Sequence, residues 1–126
     1  MNKRVVLALL AVAMATSLIT ALRASADEPF RLLSGKEIRP KIIGRELTDG
    51  VHWSWYYSPN GSVISTEMGK RQVGSWKIED NKLCSTNAND TPMECYEVWA
   101  SGKNISLRHF ADMPAREAVV VPHTGR

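Results

Sequence analysis

Two cysteines, an aromatic cluster, and scattered histidines and carboxylates are the side chains of this sequence that could carry chemistry. Cys84 and Cys95 flank the turn-rich stretch Asn87 to Pro92, and the chain has no other cysteine. Neither has a Cys or His at usual zinc spacing and C-x-x-C is absent, so in an exported chain the pair reads as one structural disulfide. His52, His109 and His123 are too scattered for a metal site or a catalytic relay. Glu67, Glu79, Asp80, Asp90, Glu94 and Glu97 fall mostly at strand ends and loops, where they solubilise edges and turns. No spacing among them argues for a general acid and base. No enzyme, cofactor or metal is expected.

The aromatic residues are more informative. Trp53, Trp55, Tyr56 and Tyr57 form the densest cluster, and alternate aromatics on a strand serve either as core or as a stacking surface for a sugar, lipid or peptide. Trp99 falls on the face opposite the main core, beside the cysteine pair. If that face is open, Trp99 with Trp53 or Tyr56 forms a partner-binding patch; if the sheet closes, Trp99 covers the disulfide.

These residues belong to an exported domain. Lys3 and Arg4 supply a positive start, Val5 to Leu22 is an uncharged apolar run, and Ala24-Ser25-Ala26 places small residues at a cleavage site, so 1–26 is expected to be a cleaved signal peptide. No membrane span is expected once it is removed, and a periplasmic or secreted location follows. The 126-residue chain has 16 Lys and Arg against 13 Asp and Glu, with a pI near 9.0. Lys3, Arg4 and Arg23 account for the whole excess, so the chain from Asp27 onward is formally neutral. A nucleic-acid partner is therefore not expected.

The elements that position the candidates are mainly strands. Asp27 to Leu33 reads as a loose lead-in. Ser34 and Glu37 form a capping box opening a helix over about 34–43, with Ile38 and Ile42 on its apolar stripe and Gly44 as its stop. Pro40 predicts a kink, or an end near Arg39. From Val51 the period becomes two, with Trp53, Trp55 and Tyr57 on one face and Tyr56 on the other. Turns follow at Ser58-Pro59-Asn60-Gly61, Gly69-Lys70, Asp80-Asn81 and Ser101-Gly102. Gly74 is read as a bulge that restores the phase between Val73 and Trp76.

Pairing registers can be checked against one another. Asp80-Asn81 as a two-residue turn sets Ile78 opposite Leu83; pairing Cys84 with Cys95 sets Leu83 opposite Tyr96; Ser101-Gly102 as a turn sets Val98 opposite Ile105. All three place Trp76, Ile78, Leu83, Tyr96, Val98, Ile105 and Leu107 on one face. The fold class expected is mainly β: a six-stranded antiparallel meander, strongly twisted or closed as a small barrel, with one short N-terminal helix. The single domain is placed at 27–110. The tail over 111–126 is expected to be mostly irregular, with Val119 to Val121 as a candidate edge strand.

The pattern Leu33-Ser34-Gly35, Glu37-Ile38, Pro59-Asn60-Gly61, Gly74-Ser75-Trp76-Lys77-Ile78, Leu83-Cys84 and Cys95-Tyr96 resembles small signal-bearing alphaproteobacterial proteins, of rhizobial type, with no assigned function. The resemblance implies a periplasmic or secreted β-rich protein and carries over no functional residue. The function expected is non-enzymatic binding of an unknown envelope or secreted protein, or of another envelope component. The alternative is a carrier of a small lipid or other apolar ligand, disfavoured because six short strands enclose little volume.

Overall fold

A computed structural model describes residues 28–109 and 113–125. The expected signal peptide over 1–26 lies outside the described residues. In chain order the elements are β1 (Arg31–Leu32), α1 (Gly35–Ile42), β2 (Arg45–Thr48), β3 (Trp53–Tyr57), β4 (Ser62–Glu67), β5 (Lys70–Glu79), β6 (Lys82–Ser85), β7 (Glu94–Ser101), β8 (Asn104–Arg108) and β9 (Arg116–Pro122). Strands run around the ring as β7-β6-β5-β4-β3-β2-β9-β8, and β8 returns to β7. The sheet is thus a closed, antiparallel, eight-stranded barrel, with β1 added beside β7 through Arg31–Ala100 and Leu32–Trp99.

The mainly β barrel with one helix matches the sequence reading, whereas the count of six strands does not. β2 and β9 supply the difference: β2 pairs with β3 on one side and β9 on the other, and β9 pairs with β8. The tail expected to be irregular therefore contains the strand that closes the barrel. Val119 to Val121 lie inside it rather than on a free edge. The lead-in, likewise, contributes β1.

Local chemistry explains the hairpins. Asp80 and Asn81 both take positive φ, 50° and 58°, as a two-residue turn of primed type requires. Ile78–Leu83, Leu83–Tyr96 and Cys84–Cys95 pair as expected, and the disulfide is formed. The β7–β8 turn is Gly102-Lys103 rather than Ser101-Gly102, because glycine is needed at the first central position, where φ is +56°. Val98 therefore faces Leu107, and Ile105 faces Ala100. The register moves by two residues, which leaves every side chain on its expected face. Met68-Gly69, both at positive φ, replaces the expected Gly69-Lys70 turn.

The helix runs through Pro40 to Ile42. Lys36, whose carbonyl a residue at position 40 would otherwise bond, is exposed like Pro40 itself, so the missing bond lies on the solvent side. Ile38 and Ile42, one turn apart, are fully buried. They plug one end of the barrel above Leu47, Val98 and Ile105. Gly35 N–H donates to the Asn81 side chain and Lys41 Nζ to the Gly102 carbonyl, which ties the helix to the turns at that end.

Gly74 is not a bulge. It pairs with Val63 in an uninterrupted ladder, and its missing side chain makes room for the Thr86 backbone.

Candidate functional site

The helix closes only one end. At the other, strand ends bring inward-facing residues together: Trp53 at the start of β3, Glu67 at the end of β4, Ser85 at the end of β6, Tyr96 near the start of β7 and Arg116 at the start of β9. All are in phase with the core, since cross-strand pairs share a face: Trp53 with Glu67, Leu83 with Tyr96, Leu107 with Arg116.

Arg116 is the centre of this end. Its guanidinium lies 4.6 Å from the Trp55 ring centroid and 5.1 Å from that of Trp53, and its Nη1 is 3.3 Å from Glu67 Oε1. Trp55 Nε1 donates to the same carboxylate oxygen at 3.0 Å. Cation–π contact and ion pair hold the arginine flat against the wall. Across the mouth the Tyr96 hydroxyl donates to Glu94 Oε2 at 2.7 Å, and the His109 ring meets Tyr96 edge-on at 5.1 Å. Below them Tyr57 is fully buried; burial pushes its phenol well above the ordinary range, against the opposing pull of a hydrogen bond with Ser85.

Trp55, Ser85, Asn87, Thr91, Glu94 and Tyr96 line a pocket of about 260 Å³. The loop over 86–93 roofs it. That loop is held at its base by Cys84–Cys95, at its first residue by Thr86 N–H to the Ser75 carbonyl at 2.9 Å, and internally by Thr91 Oγ1 to the Ala88 carbonyl at 2.7 Å. Ser65 beneath donates to the Asn87 carbonyl.

The three aromatics proposed from the sequence as one partner patch are not brought together. Trp53 points into the barrel. Tyr56 points outward from β3 and stacks on His123, centroids 3.5 Å apart. Trp99 points outward from β7, which lies four strands from β3 whichever way the ring is followed. It sits between Leu32 and the Arg108 guanidinium, 4.3 Å from its ring centroid, with its Nε1 buried and lacking a hydrogen-bond partner among the described residues. Each histidine has its own setting: His52 pairs with Asp49, His123 with Glu46, and His109 touches Tyr96. Among the described residues no group of three His, Cys, Asp or Glu side chains could hold a metal.

Sequence reasoning missed Arg116, Glu67 and Glu94 as members of one site. The usable signal was phase: Glu67 shares parity with Val63 and Ser65, and Glu94 with Tyr96 and Val98, so both carboxylates fall on the inner face.

No family model, curated protein or solved structure matches this chain.

Proposed function

We propose that this chain is an exported, non-enzymatic binding protein that holds a small ligand in the open mouth of its barrel. The observation that carries the reading is the contrast between the two ends. Helix-side volume is filled by fully buried Ile38, Ile42, Leu47 and Ile105, whereas the mouth keeps an aromatic and polar pocket under a tethered loop. Eight strands, unlike six, suffice for a barrel that takes one small ligand. The filled apolar half argues against a lipid inside, so the carrier reading survives with a polar ligand in place of an apolar one. Mouth hydrogen bonds join Glu67 to Trp55 and Arg116, and Glu94 to Tyr96. They fix shape, which suits binding more than turnover. The apolar run before Ala24-Ser25-Ala26 and the formed disulfide support a periplasmic or secreted location. Among the described residues no helix is long and apolar enough to cross a membrane.

Native mass spectrometry of the protein from its own envelope fraction tests this, alongside Asn87→Trp, which fills the pocket from an exposed loop position. A small adduct lost on denaturation and missing from the variant is expected. No adduct, together with no variant-sensitive thermal shift across a set of small polar compounds, would refute the reading.

Docking of an envelope or secreted protein is the second reading. It is favoured by a groove of about 960 Å³ between the lead-in, α1 and β7, floored by Phe30, Leu32 and Trp99 and edged by Lys36 and Lys41. Phe30 and Leu32 are 36% and 43% exposed there. Photo-crosslinking from position 32 in intact cells should then trap one discrete protein species, and a blank would dismiss this reading.

A further inference from the structure

One carboxylate at the mouth is left partly unpaired, and it points to a ligand class. Among the described residues Glu67, Lys70, Glu94 and Arg116 are the groups of fixed charge on the inward face at this end, Lys70 directly opposite Glu67, with His109 against the edge of Tyr96. Arg116 is already matched by Glu67 and lies over two indole rings. An incoming anion would have to displace that pairing. Glu94 is different. It accepts from Tyr96 through Oε2 alone, and among the described residues Oε1 accepts no hydrogen bond.

Tyr96 cannot relieve this carboxylate by giving up its proton. Burial, with the hydrogen bond to Glu94, pushes the phenol up to about 12, so Tyr96 keeps its proton and remains the donor to Glu94. Glu94 thus lines the pocket together with Trp55, Tyr96 and Ser85, with one of its carboxylate oxygens unpaired among the described residues. A cationic head meets both the carboxylate and the negative faces of the rings, and an apolar body covers the indole. The pocket holds about nine water volumes at ~30 Å³ each, which limits the guest to a small molecule.

We propose that the ligand of the barrel mouth is a small organic cation, an amine or guanidine about the size of benzylamine, whose charge is met by Glu94. The proposal rests on the mouth being the binding site, and its test separates the two.

Benzylamine, benzyl alcohol and benzoate share one ring and differ in charge at neutral pH. Each is titrated into the full mature protein while the Trp55 indole N–H resonance is followed, in wild type and in Glu94→Gln. Glu94 is exposed at the rim, so the variant is expected to keep its fold, and unchanged Trp76 and Trp99 indole resonances verify this. Benzylamine should bind about tenfold tighter than either other probe, and the preference should shrink to about twofold or less in Glu94→Gln. A charge-blind or benzoate-preferring response at the Trp55 indole would overturn the cationic assignment while keeping the mouth as a site. A cation preference that survives Glu94→Gln would overturn the role given to Glu94. No response to any probe at millimolar concentration would overturn both the ligand class and the site.

Discussion

Gly74→Ala should be among the most damaging single-methyl additions to this domain, although nothing about its φ demands glycine. A Cβ built there would lie 2.1 Å from the Thr86 carbonyl oxygen and 2.5 Å from its Oγ1. Both are anchored: Thr86 N–H donates to the Ser75 carbonyl at 2.9 Å, and Ser75 N–H to Thr86 Oγ1 at 3.0 Å. Backbone cannot swing aside as a side-chain tip can. Overpacking costs about 1–3 kcal/mol, and losing or stretching two hydrogen bonds adds about 1 kcal/mol each. The sum, about 3–5 kcal/mol, is a large share of the ~5–15 kcal/mol expected of a domain this size. It corresponds to a Tm lowered by roughly 10–25 °C. Thermal and urea unfolding of both proteins with the disulfide intact measure it. Because Thr86 begins the loop over the mouth, amide exchange over 86–93 should quicken more than in β8 or β9. A variant melting within about 3 °C of wild type would refute the packing argument. Destabilisation with an unchanged Thr86 amide would place its cause elsewhere.

Met68 holds φ at 49° in a turn whose geometry favours Asn or Gly, and it is 80% exposed, so Met68→Asn should stabilise by about 1 kcal/mol, read as a higher urea midpoint. Cys84 and Cys95 are 11 residues apart, and reducing or replacing them should cost roughly 3 kcal/mol in the same unfolding assay, with the loop over 86–93 loosening first. Tyr96 has a folded pKa raised to about 12, above the ~10 of an unfolded tyrosine. Its contribution is therefore complete below pH ~10 and is lost as pH rises toward 12, and Tyr96→Phe should flatten the stability profile across that window in alkaline unfolding experiments.

Those residues also mark where the sequence was legible. Asp80-Asn81 announces its turn because both residues tolerate positive φ, and the facing of Leu83 with Tyr96 and of Cys84 with Cys95 follows by counting. Ser101-Gly102-Lys103 announces a turn but not its centre, and the two-residue slip was harmless only because side chains alternate with period two. β2 was illegible, and β9 legible only as a candidate edge over Val119 to Val121, for a different reason. Within β2 only Leu47 is buried, and β9 presents Ala118 and Val120 between an arginine and a proline. Neither strand carries enough apolar alternation to stand out, and no hairpin turn joins the two. Their pairing is non-local, and closure of the barrel stabilises it by using both edges at once.

The site was hidden by the same omission. In an open meander, residues at strand ends are rim decoration, and Glu67 and Glu94 read as edge solubilisers. Closing the ring makes one set of strand ends a circle. A carboxylate from β4, another from β7 and a guanidinium from β9 then face a common space, although the last lies outside every strand foreseen. Closure also separates the aromatic residues. Trp99 and Tyr56, which would share one broad face in a flat sheet, are sent to opposite walls and cannot act as a single patch, while Trp53 and Trp55 are turned inward onto Arg116. Of the aromatic cluster over 53–57, Trp55 becomes part of the lining of a pocket. The disulfide and the Gly74–Thr86 contact both anchor the 86–93 loop that lines this pocket, so they tie the shape of the mouth to the stability of the barrel.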